Sequence, residues 1–429
     1  MMTRMHEQLA RLLPRGRFTR GVVMLAGGTA LGQAIVLAVS PLLTRLYTPE
    51  DLGSLGLFLS FVGVASVVLS LRYEAAIVSC KDSREAAYLV LGSTALAVPM
   101  SLISSGVFYF MVDRALLGFG SLPRHTVLIV FAALPPMAVF GVLKYWFIRE
   151  GAFGTISRVM VSQYSVRALS QVGFGLAGVG WLGLLVGDVL GRITGTGAMV
   201  REAWRSTVAN LTPFKFVILP RLLATYRKFA IFSFPSTLID ALSLNLPVPL
   251  ISSLYGIKAA GYFALVQRVL GLPVSLVGGS VADSFHGRIA AYAREEPGKC
   301  YSFFLRTAGG LLALGLVPTV FLIVLGGRLF GWVFGAQWVV AGYLAAGIAP
   351  WALSQLVVSP VSRVVLVFGG QELKLVYDVL SLVTTVGVLF LASKLGYSLV
   401  PAIELFSLCM VLTYVVYFAL LVRVVTREQ

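Results

Sequence analysis

Charge is scarce in this chain. Only 12% of its 429 residues are Asp, Glu, Lys or Arg, about half the share of ordinary soluble domains. Such a chain cannot cover itself with a solvated, charged surface. Histidine is nearly absent as well. His6, His125 and His286 are too scattered for a metal site or a catalytic triad, so neither a metal nor a cofactor is expected. The only Gly-Lys pair, Gly298-Lys299, is followed by Cys300, so no Walker A loop is present to hold ATP phosphates. No basic cluster interleaved with aromatics sits on a soluble module, which argues against nucleic acid. No polar stretch is long enough for a catalytic domain, and the chain does not read as an enzyme.

What fills the chain is apolar. Hydrophobic residues make up 58% and the mean hydropathy is +0.90. Apolar runs of about 20 residues, the length that crosses a bilayer, follow one another with short breaks. Twelve spans are expected at 21–45, 52–79, 87–111, 126–147, 155–178, 180–200, 229–254, 259–286, 303–325, 338–362, 373–393 and 399–422. The longest break, 201–228, carries Arg201, Arg205, Lys215, Arg221, Arg227 and Lys228. It divides the chain into an N-terminal six-helix lobe (1–204), a linker (205–228) and a C-terminal six-helix lobe (229–429). A repeat supports that division. Pro41–Gly63 recurs at Pro249–Gly271, 208 positions later without a gap, with seven identities in 23 residues; roughly two would arise by chance. The fold class is therefore an all-α polytopic membrane protein with twelve transmembrane helices in two pseudo-symmetric bundles. Paired halves with a site between them are a transporter's architecture.

Basic residues set the expected orientation. With the N-terminus in the cytoplasm, 25 of the 34 lysines and arginines lie in tails and loops on that side and 6 on the other, a strong positive-inside bias. Both termini are then cytoplasmic, and most of the net charge of +16 reflects topology. The first apolar run is longer than a signal-peptide core and reads as a retained span. Cys80 and Cys300 fall near the cytoplasmic face and Cys409 in a helix, so no disulfide is expected.

Three basic residues remain inside the membrane: Arg167, Arg192 and Arg268. An arginine at a helix centre costs about 2.5–3.5 kcal/mol on insertion scales, so three facing lipid is untenable. Counting from the turns at 179 and 257, all three sit roughly 16–20 Å below one surface, near the midplane. Gln33, Asp188, Asp240, Asn245 and Gln267 fall at neighbouring depths. Asp188 and Arg192 are four apart on one helix and can pair. Arg167 and Arg268 have no acid three or four positions away, which points to a water-filled cavity. Three cations in such a cleft would attract an anion, and the arginine fork suits phosphate. Arg167, Arg192, Arg268, Gln33, Asn245 and Gln267 are therefore the candidate substrate residues. Asp240 and Asp188 are the candidate ion-coupling residues, with Asp240, lacking a base on its own helix, the better one. The alternative is that these charges only lock helices together. Gly183, Gly187, Gly191 and Gly195 form a small-residue ridge beside Asp188 and Arg192 that suits close helix packing.

Prolines punctuate the spans, Pro41 ending the first and Pro235, Pro247 and Pro249 crowding the seventh; the repeat makes Pro41 and Pro249 equivalent candidate hinges. Several stretches then carry a resemblance. Ser40–Gly53, Leu71–Val78, Tyr145–Glu150, Leu254–Leu265 and Phe334–Trp338 together resemble the bacterial oligosaccharide and polysaccharide repeat-unit flippases of the multidrug/oligosaccharidyl-lipid/polysaccharide superfamily. The resemblance covers nearly all of 21–425. It implies two six-helix lobes around a central V-shaped cavity in the inner membrane. It also implies a polyprenyl-diphosphate-linked glycan, such as an O-antigen repeat unit, carried from the cytoplasmic to the periplasmic leaflet by alternating access. Its implied partners are the lipid-linked glycan, the bilayer, a proton or sodium ion, and polysaccharide assembly proteins. Arg72 and Glu74 match a family pattern, with local pairing the simpler reading. A drug exporter of the superfamily would need an acid-rich cavity, a lipid II flippase two more helices, and a glycan polymerase or ligase a large outer loop.

Overall fold

The computed structural model describes residues 17–80, 82–211 and 218–427. The basic tail before residue 17 and the linker positions Thr212 to Val217 lie outside the described residues. Within them the chain is helical, as the lipid solvent demands: only a helix or a closed barrel satisfies every backbone N–H and C=O internally.

The first lobe comprises α1 (Arg17–Leu46), α2 (Pro49–Val68), α3 (Ser83–Asp113), α4 (Thr126–Arg149), α5 (Phe153–Leu176) and α6 (Trp181–Leu211). The second opens with a broken span, α7 (Phe234–Asn245) and α8 (Pro247–Tyr255). It continues through α9 (Ile257–Glu295), α10 (Cys300–Phe334), α11 (Val339–Val361), α12 (Gln371–Lys394) and α13 (Leu399–Arg427). Among the described residues, nine helices are long and apolar enough to cross a membrane, and the broken pair makes a tenth crossing. The two remaining spans are α5 and α6, whose hydropathy is lowered by Arg158 and Arg167 and by Asp188 and Arg192. The linker is more ordered than a loop. α6 runs past residue 204 to Leu211, and a further helix, Ile218–Thr225, lays Leu219 against Gly92 of α3.

The repeat is visible as structure, with one difference. Pro41 does not end the first span, because α1 continues through it to Leu46. Its counterpart Pro249 lies in a span that bends by 41° between Asn245 and Pro247. The cause is local: Pro247 removes a second backbone donor two residues before Pro249, whereas the matching residue in the first half is Val39. The turns within the two repeats also differ in chemistry. Thr48 accepts the Asp51 N–H at 3.2 Å while the Asp51 carboxylate accepts the Thr48 N–H at 2.9 Å, a reciprocal cap. In the second half Gly256 takes φ +89° instead.

The lobes meet along α2 and α9, at residues that the repeat makes equivalent. A Cβ on Gly261 would lie 1.8 Å from the Pro49 carbonyl oxygen, and one on Gly53 2.2 Å from that of Ile257. Gly56 faces Ala264, and Glu50 pairs with Lys258 at 3.6 Å. Two clasps flank this seam at the end carrying Tyr47 and Tyr255. The Trp338 indole N–H and the Gln337 amide both donate to the Thr44 carbonyl at 2.9 Å. Reciprocally, the turn Leu116–Ser121 packs Gly118, at φ +76°, onto Ser252 of α8. Leu57, Phe58, Val62, Phe263 and Trp338 are fully buried in a core drawn from both lobes. At the other end Arg149 donates to the carbonyls of Ile77 (3.2 Å) and Cys80 (2.5 Å). Arg72 pairs locally with Glu74 at 3.3 Å.

Candidate functional site

The site begins with helix packing. On α6, Gly183, Gly187, Gly191 and Gly195 receive Phe174, Gln171, Arg167 and Gln163 of α5 in register. A Cβ on Gly191 would lie 2.7 Å from the Gln163 carbonyl oxygen and 2.8 Å from the Arg167 Cβ. The ridge therefore fixes the root of the Arg167 side chain against α6. Gln171 tightens the pair by donating to the Leu184 carbonyl at 2.8 Å, and its own carbonyl accepts the Tyr47 hydroxyl at 2.7 Å.

Asp188, one position along from Gly187, is 1% exposed. Its two oxygens meet two guanidinium groups: Oδ1 with Arg167 Nη1 at 3.0 Å and Oδ2 with Arg192 Nε at 2.5 Å. Arg167 is thus not without an acid, as its own helix suggested. Same-helix spacing sees only partners three or four residues away, and the carboxylate comes from the neighbouring helix. The Arg192 side chain also lies 3.0 Å from the Met137 sulfur. Two arginines on one carboxylate leave one net positive charge. Arg268, from α9 of the other half, is close enough to interact electrostatically with both Asp188 and Arg167. It makes no ion pair among the described residues. The structure thus brings Arg167, Asp188, Arg192 and Arg268 together. Arg268 also lines a cavity of about 230 Å³ on the lobe seam with Gln267, Asn245 and Ser60. Ser60 is the position equivalent to Arg268 in the first half.

Asp240 lies elsewhere, on α7, and is not without a base. Lys374 Nζ stands 3.5 Å from its carboxylate and 2.7 Å from that of Asp378. Lys374 belongs to the first turn of α12. Asp378, 3% exposed, was missed. The four-residue spacing of Lys374 and Asp378 was the available signal, the same one that paired Asp188 with Arg192. This triad lines a cavity of about 530 Å³ inside the second lobe, with Tyr377, Tyr414, Gln355 and Gln267. Gln267 borders both cavities. Asn245 donates to the Ala241 carbonyl at 2.8 Å and sits against Gly63 across the seam. Gln33 accepts the Ser275 hydroxyl at 3.2 Å, an α1–α9 contact between lobes. Among the described residues no group of His, Cys, Asp and Glu is arranged to hold a metal ion.

Comparison with known proteins fits this two-lobed arrangement. A family profile described as "Polysaccharide biosynthesis protein" matches residues 42–342. The chain belongs to this family. This member of the polysaccharide biosynthesis protein family has no match among curated protein sequences. Among solved structures it is similar to the lipid II flippase MurJ in an inward closed conformation, with TM-score 0.70 at 12% identity, over 93% of this chain and 87% of that one. It is also similar to an inward-facing multidrug resistance MATE family transporter of the MOP superfamily, with TM-score 0.60 at 14% identity, over 93% and 94% of the two chains. A MATE crystallised with MaD5 gives 0.61 at 16% identity, over 97% and 98%. At these identities the likeness is one of fold: twelve helices in two lobes.

Proposed function

We propose that this family member is a flippase, not an enzyme. It moves a polyprenyl-diphosphate-linked oligosaccharide from the cytoplasmic to the periplasmic leaflet of the bacterial inner membrane by alternating access. One observation carries the reading: in a polysaccharide biosynthesis fold, Arg268 lines the cavity between the lobes with no carboxylate paired to it among the described residues, beside a cluster that itself holds a surplus positive charge. A diphosphate cannot cross hydrocarbon without a cationic, polar path. Arginine offers it a two-pronged contact.

Arg167 and Arg192 act in this reading through the field they share with Asp188, and Arg268 is the group that reaches the anion. Gln267 and Asn245 supply neutral hydrogen bonds in the same cavity. The excess of basic residues in one set of loops places both termini in the cytoplasm. The clasped end at Tyr47 and Tyr255 is then periplasmic and closed, and the lobes face inward. The test is export: cells carrying Arg268→Ala should lose surface glycan while the protein stays at wild-type level in the membrane, and Arg268→Lys should restore export only partly. Wild-type glycan with Arg268→Ala would overturn the reading.

A further inference from the structure

The second-lobe cavity lies outside the arginine cluster, and its chemistry differs. Its volume of about 530 Å³ falls within the range of small-ligand sites, about 300–1,000 Å³. Its walls carry both donors and acceptors. Two carboxylates share the Lys374 ammonium, Gln355 and Gln267 contribute amides, and Ser243, Ser359 and Ser381 contribute hydroxyls. One side is a stack of tyrosines, Tyr377 over Tyr417 at 4.5 Å between ring centres, with Tyr414 at 5.2 Å from Tyr377. Trp351 also lines the cavity and rests its ring against Phe406 at 5.2 Å.

Each class of occupant can be weighed against those walls. A polyprenyl chain would strip water from charged and hydroxyl groups without replacing their hydrogen bonds. An anion would meet two carboxylates against one ammonium, a net negative charge. A neutral, hydroxyl-rich ligand suits these walls: it accepts from Lys374 and the amides, donates to Asp240 and Asp378, and lays its C–H faces on the aromatic rings. Those are the properties of a sugar. Gln267 is shared with the cavity of Arg268, so a ligand held by Arg268 at a diphosphate is positioned to extend its first sugars into the second lobe.

Resting on the flippase reading, we propose that the cavity lined by Asp240, Lys374, Asp378, Gln355 and Trp351 is the glycan-binding subsite, and that the seam cavity at Arg268 takes the diphosphate. The substrate is then read in two parts by two lobes. The C-terminal lobe discriminates among glycans, and the seam accepts any polyprenyl diphosphate.

Equilibrium binding to the full chain in lipid nanodiscs tests this with two probes. One is the polyprenyl-diphosphate-linked oligosaccharide pool extracted from the host membrane; the other is polyprenyl diphosphate without a glycan. The variant is Gln355→Leu with Ser359→Ala, which removes two hydrogen-bonding groups that line the cavity. It should bind the glycan-bearing lipid about tenfold more weakly, the order expected for two lost neutral hydrogen bonds, and the bare lipid as the wild type does. Arg268→Ala should weaken both. Equal loss for both lipids, or loss for neither, in the double variant overturns the glycan subsite. So does a wild type that binds the bare lipid as tightly as the glycan-bearing one, an outcome that leaves the flippase reading standing. A wild type that binds neither lipid overturns both.

Discussion

The two lobes hold their buried charge in opposite proportions. In the first, one carboxylate, Asp188, sits between two arginines; in the second, one ammonium, Lys374, sits between two aspartates. The surroundings are opposite too. Asp188 is sealed at 1% exposure behind a glycine ridge that leaves no room for a Cβ, whereas Lys374 and Asp240 stand about half exposed on a cavity wall. The first cluster is a fixed source of positive field. The second can exchange partners with whatever enters its cavity. Burial, not the inventory of charges, separates a structural ion cluster from one available to a ligand or a proton.

The sharpest way to break that contrast is at Asp188. Asp188→Ala leaves two arginines without their counter-charge in a sealed place, and breaking a buried ion pair this way costs about 3–5 kcal/mol. The expected outcome is loss of the protein from the membrane, read by quantitative blot and by detergent thermal stability. A stable Asp188→Ala protein would show that the cluster is not structural. Next comes the ridge. Gly191→Leu drives a side chain into Arg167 and the Gln163 carbonyl, an overpacking cost of about 1–3 kcal/mol. A lowered melting temperature together with weaker diphosphate binding is expected, because the α5–α6 spacing that holds Arg167 on Asp188 is lost. Smallest in stability is the second cluster. Asp240→Asn alters a half-exposed pair and should change unfolding free energy by about 0–1 kcal/mol, leaving protein levels as in the wild type. Its expected effect is functional: flipping by Asp240→Asn in vesicles should no longer respond to an imposed proton or sodium gradient. Should the full response persist, Asp240 is only a partner for Lys374. A destabilisation of Asp240→Asn comparable to that of Asp188→Ala would erase the contrast between the lobes.

Much of this architecture was legible before any coordinates. Apolar run length gave the spans, and the offset of 208 located residues that meet across the seam, Gly53 with Gly261 and Glu50 with Lys258. The four-residue spacing of Asp188 and Arg192 gave one ion pair, and the glycine ridge gave its packing. What stayed hidden were contacts between helices. Arg167 looked unpaired because its acid lies on α6, and Asp240 because its base lies on α12. The motif stretches that carry the family resemblance were legible as words but not as structure. Several are clasps: Arg149 holds the carbonyls of Ile77 and Cys80, and Gln337 and Trp338 hold Thr44. Their acceptors are main-chain atoms, which no side-chain pattern announces.

The broken seventh span has a mechanical meaning. A straight helix transmits force along its whole length, and α1 is continuous through Pro41 to Leu46. The corresponding lever in the other half is cut between Asn245 and Pro247, where the axis turns by 41° and Pro247 and Pro249 remove two backbone donors within three residues. Relative motion of the lobes therefore finds its compliance on one side of the pseudo-axis. The N-terminal lobe can swing as a rigid arm, carrying its arginines unchanged, while the C-terminal lobe flexes at an elbow five residues from Asp240 and reshapes the walls of its own cavity.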